Sequence, residues 1–140
     1  MRIRCVSKFS VLALSILACR SGPEFPNPCA EPITVQVRVG AESRPSFSWS
    51  PECGISALVV NTVPAPGAQE TTVWSFGVPE QSPLGPDVTY GNAPGRATVW
   101  TGPQQLMPGT TYRVRVRMTV GEDVMVASGE TTFTAWYPPD

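Results

Sequence analysis

From residue 33 onward the chain alternates. Ile33, Val35, Val37 and Val39 fall on one side and Thr34, Gln36 and Arg38 on the other, the period of two that marks a strand with one face buried. Phe47 and Trp49 alternate with Ser46, Ser48 and Ser50, and Pro51 closes that run. Residues 56–63 (SALVVNTV) are apolar on both parities, which predicts a central strand covered on both faces. Residues 72–76 (TVWSF) and 97–100 predict a fourth and a fifth strand. The clearest alternation sets Tyr112, Val114, Val116, Met118 and Val120 against Arg113, Arg115 and Arg117. A turn at 121–123 then leads into a last strand over 126–135, with Phe133 inward. Seven short strands separated by turn signals predict an all-β sandwich.

Composition agrees with many turns and leaves little room for helix. The 140 residues include 16 Pro and 12 Gly, residues that punctuate connections between strands. The length suits one domain and not two. There is no internal repeat, and the longest connection, residues 78–95, carries four prolines and three glycines. With 15% charged residues and a net charge of −1, no global field draws the chain to nucleic acid.

Catalytic chemistry is poorly provided for. The chain has no histidine and a single lysine, Lys8, so the commonest general base and the commonest metal ligand are both missing. A Ser-His nucleophile cannot be assembled. Asp87 and Asp123 stand in turns, where aspartate is expected on backbone grounds. These features predict a protein that is not an enzyme and that holds no metal or cofactor.

The first residues read as an export signal. Arg2, Arg4 and Lys8 precede an apolar run over residues 9–18 (FSVLALSILA), which at ten residues is shorter than the roughly 20 that span a bilayer. The run ends in Ile16-Leu17-Ala18-Cys19, which resembles the lipobox of bacterial lipoproteins. That resemblance implies cleavage after residue 18, acylation of Cys19 and residence in the bacterial cell envelope. Arg20 in place of an aspartate implies the outer membrane in a cell with two membranes. Cleavage would leave seven basic residues against eleven acidic ones, a net charge of about −4. Residues 19–31 then form a tether, with three prolines between Arg20 and Pro28, of roughly 30 Å when semi-extended. The domain is expected to occupy residues 32–137.

Within that domain, Phe47-Ser48-Trp49-Ser50-Pro51 and Leu106-Met107-Pro108-Gly109-Thr110-Thr111-Tyr112 resemble the second strand and the tyrosine corner of a fibronectin type III domain. The resemblance implies an immunoglobulin-like sandwich in which Tyr112 is a buried structural residue with Leu106 beside it, its hydroxyl bonded to backbone upstream. It also places Cys29, before the first strand, and Cys53, after the second, at the same pole. In an oxidising compartment the pair is expected to form a disulfide worth roughly 3 kcal/mol. Two free thiols, or half of a metal site, are the weaker alternatives.

Candidate ligand contacts are few. Arg113, Arg115 and Arg117 share one strand face and suit a phosphate or acidic glycan, or else a solvated face with cross-strand partners. A two-residue turn would place Arg113 opposite Glu130. Trp100, Trp136 and Tyr137 are expected near the pole away from the tether, as sugar platforms or as seals over the core. Tyr90 either contacts a ligand or pins the long connection. The expected function is a non-catalytic interaction or structural module touching another envelope protein or a glycan. The alternative is a carbohydrate-binding lipoprotein, favoured if Trp100 and Trp136 stand side by side in solvent. The pole carrying the tether and the connections 51–55, 78–95 and 121–123 is expected to face the membrane.

Overall fold

The computed structural model describes residues 23–39 and 44–136. The expected signal segment 1–18, the acylation site Cys19 and Tyr137 lie outside the described residues. Among the described residues eight strands form: β1 (Thr34–Arg38), β2 (Ser46–Ser50), β3 (Ala57–Thr62), β4 (Thr72–Gly77), β5 (Val88–Thr89), β6 (Thr98–Thr101), β7 (Thr111–Val120) and β8 (Val124–Thr134). They make two antiparallel sheets, one of order β1-β2-β5 and one of order β6-β4-β3-β7-β8. The result is an antiparallel β-sandwich of the expected immunoglobulin-like class.

The alternation read from the sequence is what buries the core. On β7, Tyr112, Val114, Val116 and Met118 point inward and are at most 2% exposed. They meet Phe47 and Trp49 of β2, Leu58 and Val60 of β3, and Trp74 and Phe76 of β4. Burial of each such large side chain contributes about 1.5–3 kcal/mol. Phe47 lies 5.7 Å from Phe133 across the two layers, and Tyr112 stacks on Phe133 at 5.6 Å within the larger sheet.

Two devices close the sandwich. Met107 N–H donates to the Tyr112 hydroxyl at 2.8 Å, with Leu106 buried alongside, which ties the connection ahead of β7 to that strand. On the other flank Ile33 N–H donates to the Ser128 carbonyl at 3.0 Å. There Gly129 has no room for a side chain, because a Cβ would collide with the Ile33 carbonyl. Glycine permits that close approach of β1 to β8.

Four expectations require correction. The sequence predicts seven strands and the described residues hold eight: the two-residue β5, inside the long connection, pairs with β2, while the fifth predicted strand, β6, pairs with β4. That connection does not stay at one end. It starts where Leu84 bridges Ile55, crosses so that Tyr90 N–H reaches the Pro45 carbonyl, and returns so that Arg96 donates to the Ser82 and Pro83 carbonyls. The cause is burial, since Val88 and Tyr90 are each 5% exposed and pack into the core.

The hairpin register also differs. Arg115, not Arg113, stands opposite Glu130, because three residues separate Val120 from Val124 and a bulge adds one more residue to β8. Finally, Trp100 does not join Trp136 at the pole away from the tether, since its ring lies over Gly77 beside Ser56 and Asp123, near the disulfide end. Trp100 is on β6 at one edge of the five-stranded sheet and Trp136 follows β8 at the other, four strand spacings or about 19 Å away across the sheet alone.

Candidate functional site

The chain enters the domain at a stapled end. Pro28 bridges Gly54 in parallel, Gly54 N–H donates to the Asn27 carbonyl at 2.6 Å, and Cys29 N–H donates to the Gly54 carbonyl at 2.8 Å. Cys29 and Cys53 are joined in a disulfide, with Cα atoms 4.9 Å apart. Trp49 Nε1–H donates to the Cys53 carbonyl at 2.8 Å, so the staple is itself tied to the core. Upstream, the guanidinium of Arg96 lies 5.0 Å above the Phe25 ring. The tether is therefore docked from Phe25 onward. The hairpin turn 121–123 lies at this same end, where Gly121 N–H donates to the Glu80 carboxylate at 3.1 Å.

The row of arginines is largely discharged by its neighbours. Arg115 binds Glu130 at 2.7 Å and Glu70 at 2.8 Å. Arg113 pairs closely with Glu70 and reaches Glu130 at 3.9 Å. The Arg115 hydrogen bond, and after it the Asn61 amide, hold the Glu70 carboxyl below its ordinary range. Glu130 first, and then Glu70, raise Arg115 above its own. Glu70 was not foreseen, because it comes from the connection between β3 and β4 and no local spacing links it to β7. Arg117 differs from its two companions, being exposed and having no acidic partner within ion-pair distance among the described residues.

Arg117 instead borders a groove of about 360 Å³ on the outer face of the larger sheet. One cross-strand row, Thr98, Gly77, Ala57, Arg117 and Ser128, runs through all five strands. Gly77 and Ala57 make its floor, from which only the Ala57 methyl protrudes, and Ala57 is 4% exposed. Trp100 has no partner of its own in the β4 register, where a bulge intervenes, and its ring lies back over Gly77. A Cβ on Gly77 would come within 2.5 Å of the indole, so only glycine seats the ring there. The indole is still 53% exposed. Thr119 and Asp123 complete the wall on the Arg117 side.

The other expected contacts are dispersed. Tyr90 is buried, its hydroxyl donating toward the Gln104 carbonyl at 2.8 Å and the Val73 carbonyl at 3.2 Å. It lines a second cavity of about 320 Å³ near Leu106, at the opposite end of the sandwich from the disulfide. Trp136 is 56% exposed beyond β8. Sequence reasoning singled out Trp100 and Arg117 but missed Gly77 and Ala57, which only strand register places between them. Compared with protein families, with characterised proteins and with solved structures, the chain finds no match.

Proposed function

We propose that this chain is a bacterial envelope lipoprotein, acylated at Cys19, whose fibronectin type III-like sandwich acts as a non-catalytic interaction or structural module. The observation that carries the reading is the disulfide at the root of the tether. A Cys29–Cys53 bond belongs to an oxidising compartment such as the periplasm or the cell surface, in keeping with an export signal. Its position adds a mechanical argument: a load on the anchor passes into β1 and, through Cys53, into the end of β2. Acyl chains hold such a protein stably because each buried methylene contributes about 0.8 kcal/mol and several chains act together.

Docking of the tether shortens the expected reach. Six peptide steps separate Cys19 from Phe25, about 20 Å at about 3.1 Å per residue, so the disulfide end of the sandwich would ride near the lipid surface. The partner would be another envelope protein or a glycan. Intact-mass analysis of the protein made in its own envelope tests the anchor. The expected form begins at Cys19 with diacylglycerol attached, and Cys19→Ser should leave the chain unprocessed or free of the membrane fraction. An unmodified amino terminus, or a mature start elsewhere, would overturn the proposal.

A further inference from the structure

We propose that the groove between Trp100 and Arg117 is a binding site for a neutral pyranose chain. The proposal rests on the groove alone and stands whether or not Cys19 is acylated. A sugar ring presents a face of C–H bonds that stacks on a flat aromatic surface, and hydroxyls around its rim that need both donors and acceptors. Trp100 supplies the surface, held over Gly77 with about half of the indole open to solvent. Because the ring is already seated, little side-chain freedom remains to be lost on binding.

The opposite wall supplies the polar groups. Arg117 donates only and the Asp123 carboxylate accepts only; both line the groove, and they form no ion pair with each other. Together they are neutral, which selects a neutral ligand over an anionic one. The cationic alternative on this face is already spent, since Arg113 and Arg115 are engaged by Glu70 and Glu130. From Gly77 on β4 across Ala57 on β3 to Arg117 on β7 is two strand spacings, about 10 Å, the length of a disaccharide. Only the Ala57 methyl rises from the floor between the Trp100 indole, which lies over Gly77, and Arg117.

Calorimetric titration of the full-length chain with cellotetraose, chitotetraose and mannotetraose, and with trigalacturonate as the anionic comparison, tests the site. At least one neutral oligosaccharide is expected to bind in preference to the uronate. Trp100→Ala should weaken that binding about tenfold or more, with Arg117→Gln and Asp123→Asn each weakening it several-fold. Trp136→Ala, which removes the exposed indole at the other sheet edge, should leave it unchanged. If Trp100→Ala alters the unfolding midpoint, Trp100→Phe keeps a ring over Gly77 and should retain part of the affinity. No binding of any neutral oligosaccharide, a preference for trigalacturonate, or affinity indifferent to both Trp100→Phe and Arg117→Gln would overturn the proposal.

Discussion

Two buried tyrosines in this sandwich use their hydroxyls in opposite senses, and removing each hydroxyl should therefore cost different amounts. Tyr112 is 2% exposed and its oxygen accepts the Met107 N–H at 2.8 Å. In Tyr112→Phe that donor loses its acceptor in a partly buried setting. An unpaired buried donor costs about 1–3 kcal/mol; partial access of water at Met107, whose side chain is exposed, places the expected loss near 1.5 kcal/mol. Tyr90 is 5% exposed, but its hydroxyl donates to carbonyls. In Tyr90→Phe the Val73 carbonyl still accepts the Gln104 N–H at 3.0 Å, so the expected loss is about 0.5–1 kcal/mol. Urea denaturation of the two variants and the parent, with an unchanged slope as the check on two-state behaviour, measures both. At about 4–8 °C per kcal/mol for a domain near this size, Tyr112→Phe should lower Tm by roughly 6–12 °C. A Tyr90→Phe loss equal to or larger than that of Tyr112→Phe would refute the reasoning that an orphaned donor, and not the lost bond, sets the cost.

Replacement of Cys53 by Ser opens a loop spanning 24 positions, and should lower stability by about 3.5 kcal/mol in the chain-entropy model while leaving the sandwich able to fold; calorimetry at several scan rates would show it. Gly129→Ala should be strongly destabilising, by about 3 kcal/mol or more, because the new Cβ meets the Ile33 backbone; an Ile33→Ala partner change should not rescue it, since the obstacle is a carbonyl. Glu70 is held low by Arg115 and Asn61, so its contribution is complete above the unfolded carboxyl value near 4.5 and is lost as pH falls through the lower folded value. Unfolding midpoints from pH 7 down to pH 3 should therefore drop less steeply in Glu70→Gln than in the parent, and parallel curves would remove the carboxylate from that role.

The sequence by itself determined the class of fold, the ends of most strands and the identity of the core. Period-two alternation is a local property, and Val114, Val116 and Met118 are buried because their parity is opposite to that of Arg113, Arg115 and Arg117. The contact of Tyr112 with the backbone upstream was implied by the resemblance that residues 106–112 carry, and its hydrogen bond spans only five residues. The Cys29–Cys53 pairing was implied by the resemblance to a fibronectin type III domain, which sets the two cysteines at one pole, and the bond is present. What no local pattern carries is register and lateral order. One bulge and one extra turn residue moved Glu130 from Arg113 to Arg115, a shift invisible in either strand alone. Whether residues 98–101 pair with β2 or with β4 is decided by which edge offers unpaired backbone once Val88 and Tyr90 have been buried beside Phe47 and Trp74. The groove depends on both choices. Only the tertiary structure lays a glycine of β4 and an alanine of β3 between Trp100 and Arg117, because residues far apart in sequence become neighbours through strand pairing alone.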